Sequence, residues 1–159
     1  MRIADEVKFV KGLAPAADRW NTDPETDRVK LDGFNKAVFL VHQADGTTGK
    51  ATLTVKAYAA ASGGSGDACA FSYRVGADGA STDGDAMGAL TQASVSGFTT
   101  TPATDRQYLI EIRADQLPEG KPYVSLKCTE AANDPVNAAV EIMLYEGRYI
   151  GDELESVID

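Results

Sequence analysis

Three runs in the last third of the chain alternate apolar and polar side chains with a period of two. Tyr108, Ile110 and Ile112 are interleaved with Leu109, Glu111 and Arg113; Val124, Leu126 and Cys128 with Ser125, Lys127 and Thr129; and Val140, Ile142 and Leu144 with Glu141, Met143 and Tyr145. That period predicts strands, each turning one set of side chains to a core and the other to solvent or a partner. Earlier in the chain, Val38, Leu40 and His42 oppose Phe39, Val41 and Gln43. The nearly continuous apolar run Ala37 to Val41 predicts burial on both faces. Leu53, Val55 and Ala57 alternate with Thr52, Thr54 and Lys56, and the turn between these two strands predicts a hairpin. Further strands are expected at VKLDG, at ACAFSYRV and, more weakly, around Ala93 to Thr99.

About eight strands, with turns at fairly regular spacing and no sustained helical period, predict an all-β fold. The expected form is an antiparallel β-sandwich of jelly-roll-like type. DQLPEGKP has room for one helical turn, since Pro118 and Pro122 stop anything longer. Residues 1–27 carry two prolines, many acids and no sustained period. They are expected to be an extended N-terminal arm, with a short strand through Val7 and Phe9 and a turn at Asn21 to Glu25. Trp20, the single tryptophan, is either a lid on the domain's own core or an anchor on a neighbouring subunit. Residues 28–150 form the sandwich domain. The acidic tail 151–159, with Leu154, Val157 and Ile158 at helical spacing, is a short helix, a strand added to another subunit, or a mobile tail.

At 159 residues the chain fits one domain, which buries roughly 70% of its unfolded surface. A net charge of -9 opposes general affinity for nucleic acid, because counterion release needs clustered Lys and Arg. No run of about 18 apolar residues predicts a membrane span, and the first residues have no apolar run long enough for a secretory signal. A soluble protein made in a cytoplasm is expected.

The two cysteines lie on core-facing parity, Cys69 with Phe71, Tyr73 and Val75, and Cys128 with Val124 and Leu126. Two separate buried thiols, or a disulfide within or between subunits formed by late oxidation, are the readings this leaves. Two Cys and one distant His do not make a zinc set. Gly46-Thr47-Thr48-Gly49-Lys50-Ala51 lacks the glycine spacing and the hydroxyl residue after Lys that a phosphate-binding loop needs. Gly63-Gly64-Ser65-Gly66 lacks the pattern of a dinucleotide site. Asp78, Asp83 and Asp85 lack the ordered ligand series of a calcium loop. His42 has no serine or cysteine in a recognisable nucleophile context. No cofactor, metal site or catalytic role is expected.

The series YLIEIRADQLPEGKPYVSLKCTEAANDPVNAAVEIMLYEGRY resembles small virion proteins of tailed bacteriophages, and NTDPETDRVKLDGFNKAVFLV and FSYRV are similar to the same group. The resemblance covers most of residues 20 to 150. It implies a decoration, or cement, protein on the outside of an icosahedral capsid, assembled in the host cytoplasm. Its partner would be the major capsid protein, and its own state a homo-oligomer, commonly a trimer. Subunit contacts are then expected at the ends of the chain: Phe9, Trp20, Arg148, Tyr149, Leu154 and Ile158. Neither direct nucleic-acid contact nor a membrane belongs to this role. A tail or neck component is the nearest alternative. Another is a carbohydrate-binding module on the virion, using exposed rings among Tyr58, Tyr73, Tyr108, Tyr123, Tyr145 and Tyr149.

Overall fold

The computed structural model describes residues 3–44, 48–102, 105–147 and 158. After a four-residue helical turn, α1 (Ile3–Glu6), the chain is built of strands. They are β1 (Lys8–Ala16), β2 (Val29–Lys30), β3 (Phe34–Ala44), β4 (Lys50–Tyr58), β5 (Asp67–Cys69), β6 (Phe71–Val75), β7 (Thr91–Ala93), β8 (Phe98–Thr99), β9 (Asp105–Arg113), β10 (Tyr123–Ala132) and β11 (Ala138–Gly147). A single 3-10 turn, Ala114–Gln116, occupies the place where one helical turn was expected.

Two antiparallel sheets pack as a sandwich. One has the order β1-β11-β3-β9-β6-β7; the other is β2-β10-β4-β5, with β8 also on β4. Distant strands pair in a nested way in the jelly-roll manner, β3 with β11, β4 with β10 and β6 with β9. The alternation in the sequence is realised as face selection. Phe39, Val41, Leu53, Val55, Ile110, Ile112, Leu126, Cys128, Val140, Ile142 and Leu144 are all buried in one core. Burying apolar side chains from both inner faces at once is the main stabilising term.

Several expectations change. The strands β3 and β4 do not form a hairpin: β3 lies between β11 and β9, while β4 lies between β10 and β5. Alternation fixes which face is buried but not which strand is the neighbour, so a short connection can cross between sheets. The runs 68–75 and 93–99 each split into two strands. At Ala70 the chain leaves β4 and joins β9, which keeps both Cys69 and Phe71 pointing inward. With these two splits and β1, the count rises from eight to eleven strands among the described residues, four of them only two or three residues long.

The largest change concerns residues 1–27. Instead of standing apart as an arm, they supply β1, paired with β11 from Lys8↔Leu144 to Ala16↔Ala138. They also supply Trp20, 1% exposed in the core. Residues 23–30 then run along β10. The Thr26 N–H donates to Leu126 O and the Cys128 N–H to Pro24 O, while Leu126 N–H donates to Thr26 Oγ1. Apolar residues spread thinly through an irregular segment carry no period, and that is why the packing was not legible.

Candidate functional site

Cross-strand register places the outward side chains of the six-stranded sheet in rows. One row reads Phe9–Met143–Val38–Glu111–Ser72, and the next reads Lys11–Glu141–Leu40–Leu109–Arg74. Their apolar members join into a stripe of Phe9, Met143, Val38, Leu40 and Leu109. Leu90 extends it, lining with Val38, Leu109 and Met143 a shallow groove of about 520 Å³. Phe9 and Leu90 are each 56% exposed, while Val38, Leu40, Leu109 and Met143 are half-buried by their neighbours. The run Ala37 to Val41 is thus covered on its inner face alone, and its outer apolar residues belong to this stripe.

Charges border the stripe on both sides. Four cations, Lys11, Lys36, Arg74 and Arg113, are interleaved with the anions Glu6, Glu111, Glu141 and Glu146, and Asp105 and Asp115 add two more at the margins, so the face carries both signs in a chain of net charge -9. Lys36 sits 3.8 Å from Glu111 and 3.3 Å from Glu146. Arg74 is held against the 76–90 loop by a hydrogen bond to Gly88 O. At the far end of the face His42 Nε2 lies 2.5 Å from Asp105 Oδ1.

The opposite outer face differs. On β4 and β10 it presents Thr52, Thr54, Lys56, Lys127 and Thr129, with Thr99 on β8 bonded to Thr52. This is the polar exterior of an ordinary solvated sheet. Two long edges are also blunted. Residues 23–30 cover β10, whereas β1, the long edge of the other sheet, is broken in register between Lys11 and Leu13 and again before Ala16. Lysines, a proline and such irregularities discourage strand addition at an edge. The apolar face is left as the surface that invites a partner.

A buried polar knot fixes the segment before β2. The Tyr58 hydroxyl donates to Glu25 Oε1 at 2.5 Å, and the Ser125 hydroxyl donates to the same oxygen at 2.6 Å. The Arg28 guanidinium stacks 3.4 Å from the Tyr58 ring centre and donates to Ala60 O and Gly63 O. Burial is the main reason the Tyr58 phenol is pushed above its ordinary range, with Glu25 adding to it. These contacts tie residues 23–30 to the sandwich and use up their own polar atoms.

The residues singled out from the sequence scatter. Phe9 lies on the stripe; Trp20 is in the core and follows the lid reading. Arg148, Tyr149 and Leu154 fall outside the described residues, and Ile158 is 38% exposed. Cys69 and Cys128 are free and buried. They pair with Val55 and Leu53 on opposite sides of β4, which puts two strand spacings, about 9–10 Å, between them, beyond disulfide reach. Burial raises both thiols, Cys128 to about 12. Of the tyrosines, Tyr58 and Tyr108 are buried, and Tyr73 stacks on Phe98 at 4.0 Å. Among the described residues no group of three or more His, Cys, Asp or Glu converges to hold a metal, and no helix is long and apolar enough to cross a membrane. Val38, Leu40, Leu109 and Met143 were missed as a site, although their signal was present as apolar side chains on outward parity. No family model matches the chain, and neither a curated protein nor a solved structure matches it.

Proposed function

We propose that the chain is a structural virion protein that binds the outer surface of a tailed-phage capsid and stabilises contacts between major capsid subunits. The observation that carries this reading is the outward apolar stripe from Phe9 to Leu90, a surface through which copies of the chain assemble into the homo-oligomer of this role. A contiguous apolar face on a sheet with managed edges marks a surface used in assembly. The resemblance of residues 20 to 150 to small phage virion proteins supplies the setting: the capsid exterior, with the major capsid protein as partner. The chain works there as a homo-oligomer, after assembly in the host cytoplasm. A subunit that bridges neighbours makes dissociation break several contacts at once, which raises particle stability without any chemical step. No cofactor, membrane or nucleic acid enters this role.

The experiment is particle composition. Purified DNA-filled particles of the phage encoding the chain should contain it in fixed ratio to the major capsid protein, and particles lacking it should lose DNA at lower temperature. Particles free of the chain, or unchanged by its deletion, would overturn the reading.

A further inference from the structure

We infer that the apolar face of the six-stranded sheet is covered by the same face of a second copy of this chain, in a two-fold pair. This deepens the proposed function, on which its place in a homo-oligomer rests, and it names the surface. The resemblance implies a trimer; the face itself favours a pair.

Two features argue for a second copy. The first is charge. A face that must meet its own copy needs both signs, and the four cations interleaved with carboxylates along these rows supply that in a chain that is strongly acidic as a whole. The register makes the match specific. A two-fold axis lying in the interface and crossing the strands between Val38 and Leu40 exchanges the two rows. Val38 of one copy then meets Leu40 of the other. The second copy's Arg74 comes beside Glu111, one strand over, and its Lys11 comes over the Phe9 ring. An axis running along the strands instead opposes Lys11 to Arg74, like charge to like, so the crossing axis is the one selected.

The second is area. The strands β1, β11, β3 and β9 are nine to eleven residues long, and with β6 they make five outward strands. At about 3.3 Å per residue and about 4.8 Å between strands, the face measures about 30 by 24 Å, or about 700 Å². A stable interface buries about 800 Å² per partner. Phe9 and Leu90, the exposed ends of the stripe, lie at opposite margins of this footprint.

The test is sedimentation of the full chain with variants at the centre of the face. The wild type should sediment with twice its 16.8 kDa mass at micromolar concentration. Leu40→Glu and Val38→Glu should each weaken the pair by about ten-fold or more, as substitution at the centre of an interface does. Thr54→Glu, on the opposite face, should leave it unchanged. Circular-dichroism melts of each variant separate loss of pairing from loss of fold. A wild type that stays at 16.8 kDa, or a trimer indifferent to Leu40→Glu, would overturn the pair. Failure of the two proposals is distinguishable: a pair absent from virions removes the capsid role alone, and a monomer found on virions removes the pair alone.

Discussion

Replacing Trp20 with Ala should destabilise the isolated chain by about 2–5 kcal/mol. A tryptophan buries about 200–250 Å² when enclosed, and this one is 1% exposed. At about 25 cal/mol per Å² that is about 5–6 kcal/mol, an upper value because the unfolded chain already hides part of the ring. Against it stands the indole Nε1, buried without a hydrogen-bond partner, which costs about 1–3 kcal/mol. The difference agrees with the range for large-to-small changes in a core. Trp20→Phe keeps most of the apolar contact and removes the unpartnered N–H, so its loss should stay below about 1.5 kcal/mol. Urea unfolding followed by far-UV circular dichroism measures both, since the alanine variant has no tryptophan fluorescence to follow. Deleting residues 1–20 should unfold the chain, because β1 and the ring leave together. A Trp20→Ala variant within 1 kcal/mol of wild type, or a stable truncated chain, would refute the integration of this segment and return Trp20 to the role of an external anchor.

Other outcomes follow from the same packing. Glu25→Ala should cost about 2–3 kcal/mol by chemical denaturation, because the Tyr58 and Ser125 hydroxyls lose one shared acceptor. Native protein should be inert to thiol reagents at neutral pH and expose both cysteines in denaturant, and non-reducing gels should show monomer bands. Cys128 holds its proton to about 12 when folded but to about 9 when unfolded. The unfolded state therefore releases the proton first, and the associated stability is present below pH 9 and lost as pH rises toward 12. Pairwise melts of wild type and Cys128→Ala should converge over that window by up to about 4 kcal/mol. Gly97→Ala should destabilise by more than about 2 kcal/mol, since Gly97 has φ +75 and a Cβ would stand 2.0 Å from Leu53 O.

The inner faces were readable from the sequence because a strand obeys a period of two whatever its neighbours are. Ile110, Leu126 and Ile142 are buried as their parity required. Pairing was not readable. β9, β10 and β11 look like consecutive strands of one ribbon, yet β10 lies in the other sheet, and nothing in local alternation encodes that crossing. Ser125 shows a second limit. Its outward parity is correct, but residues 23–30 lie over β10 and bury it against Glu25. Phe9 was singled out for its place near the start of the chain, and the structure leaves it 56% exposed. The stripe it joins was not legible, because Met143, Val38 and Leu109 come from three distant segments and meet only through register.

The capsid role is tested most directly by cryo-electron microscopy of intact virions from the encoding phage. The account predicts external density on the capsid shell, present at a fixed number of copies per capsid subunit, into which the eleven-stranded sandwich fits with its apolar sheet face covered. Density for this chain confined to the tail or neck, or a bare capsid in particles that contain no copy of the chain, would contradict it.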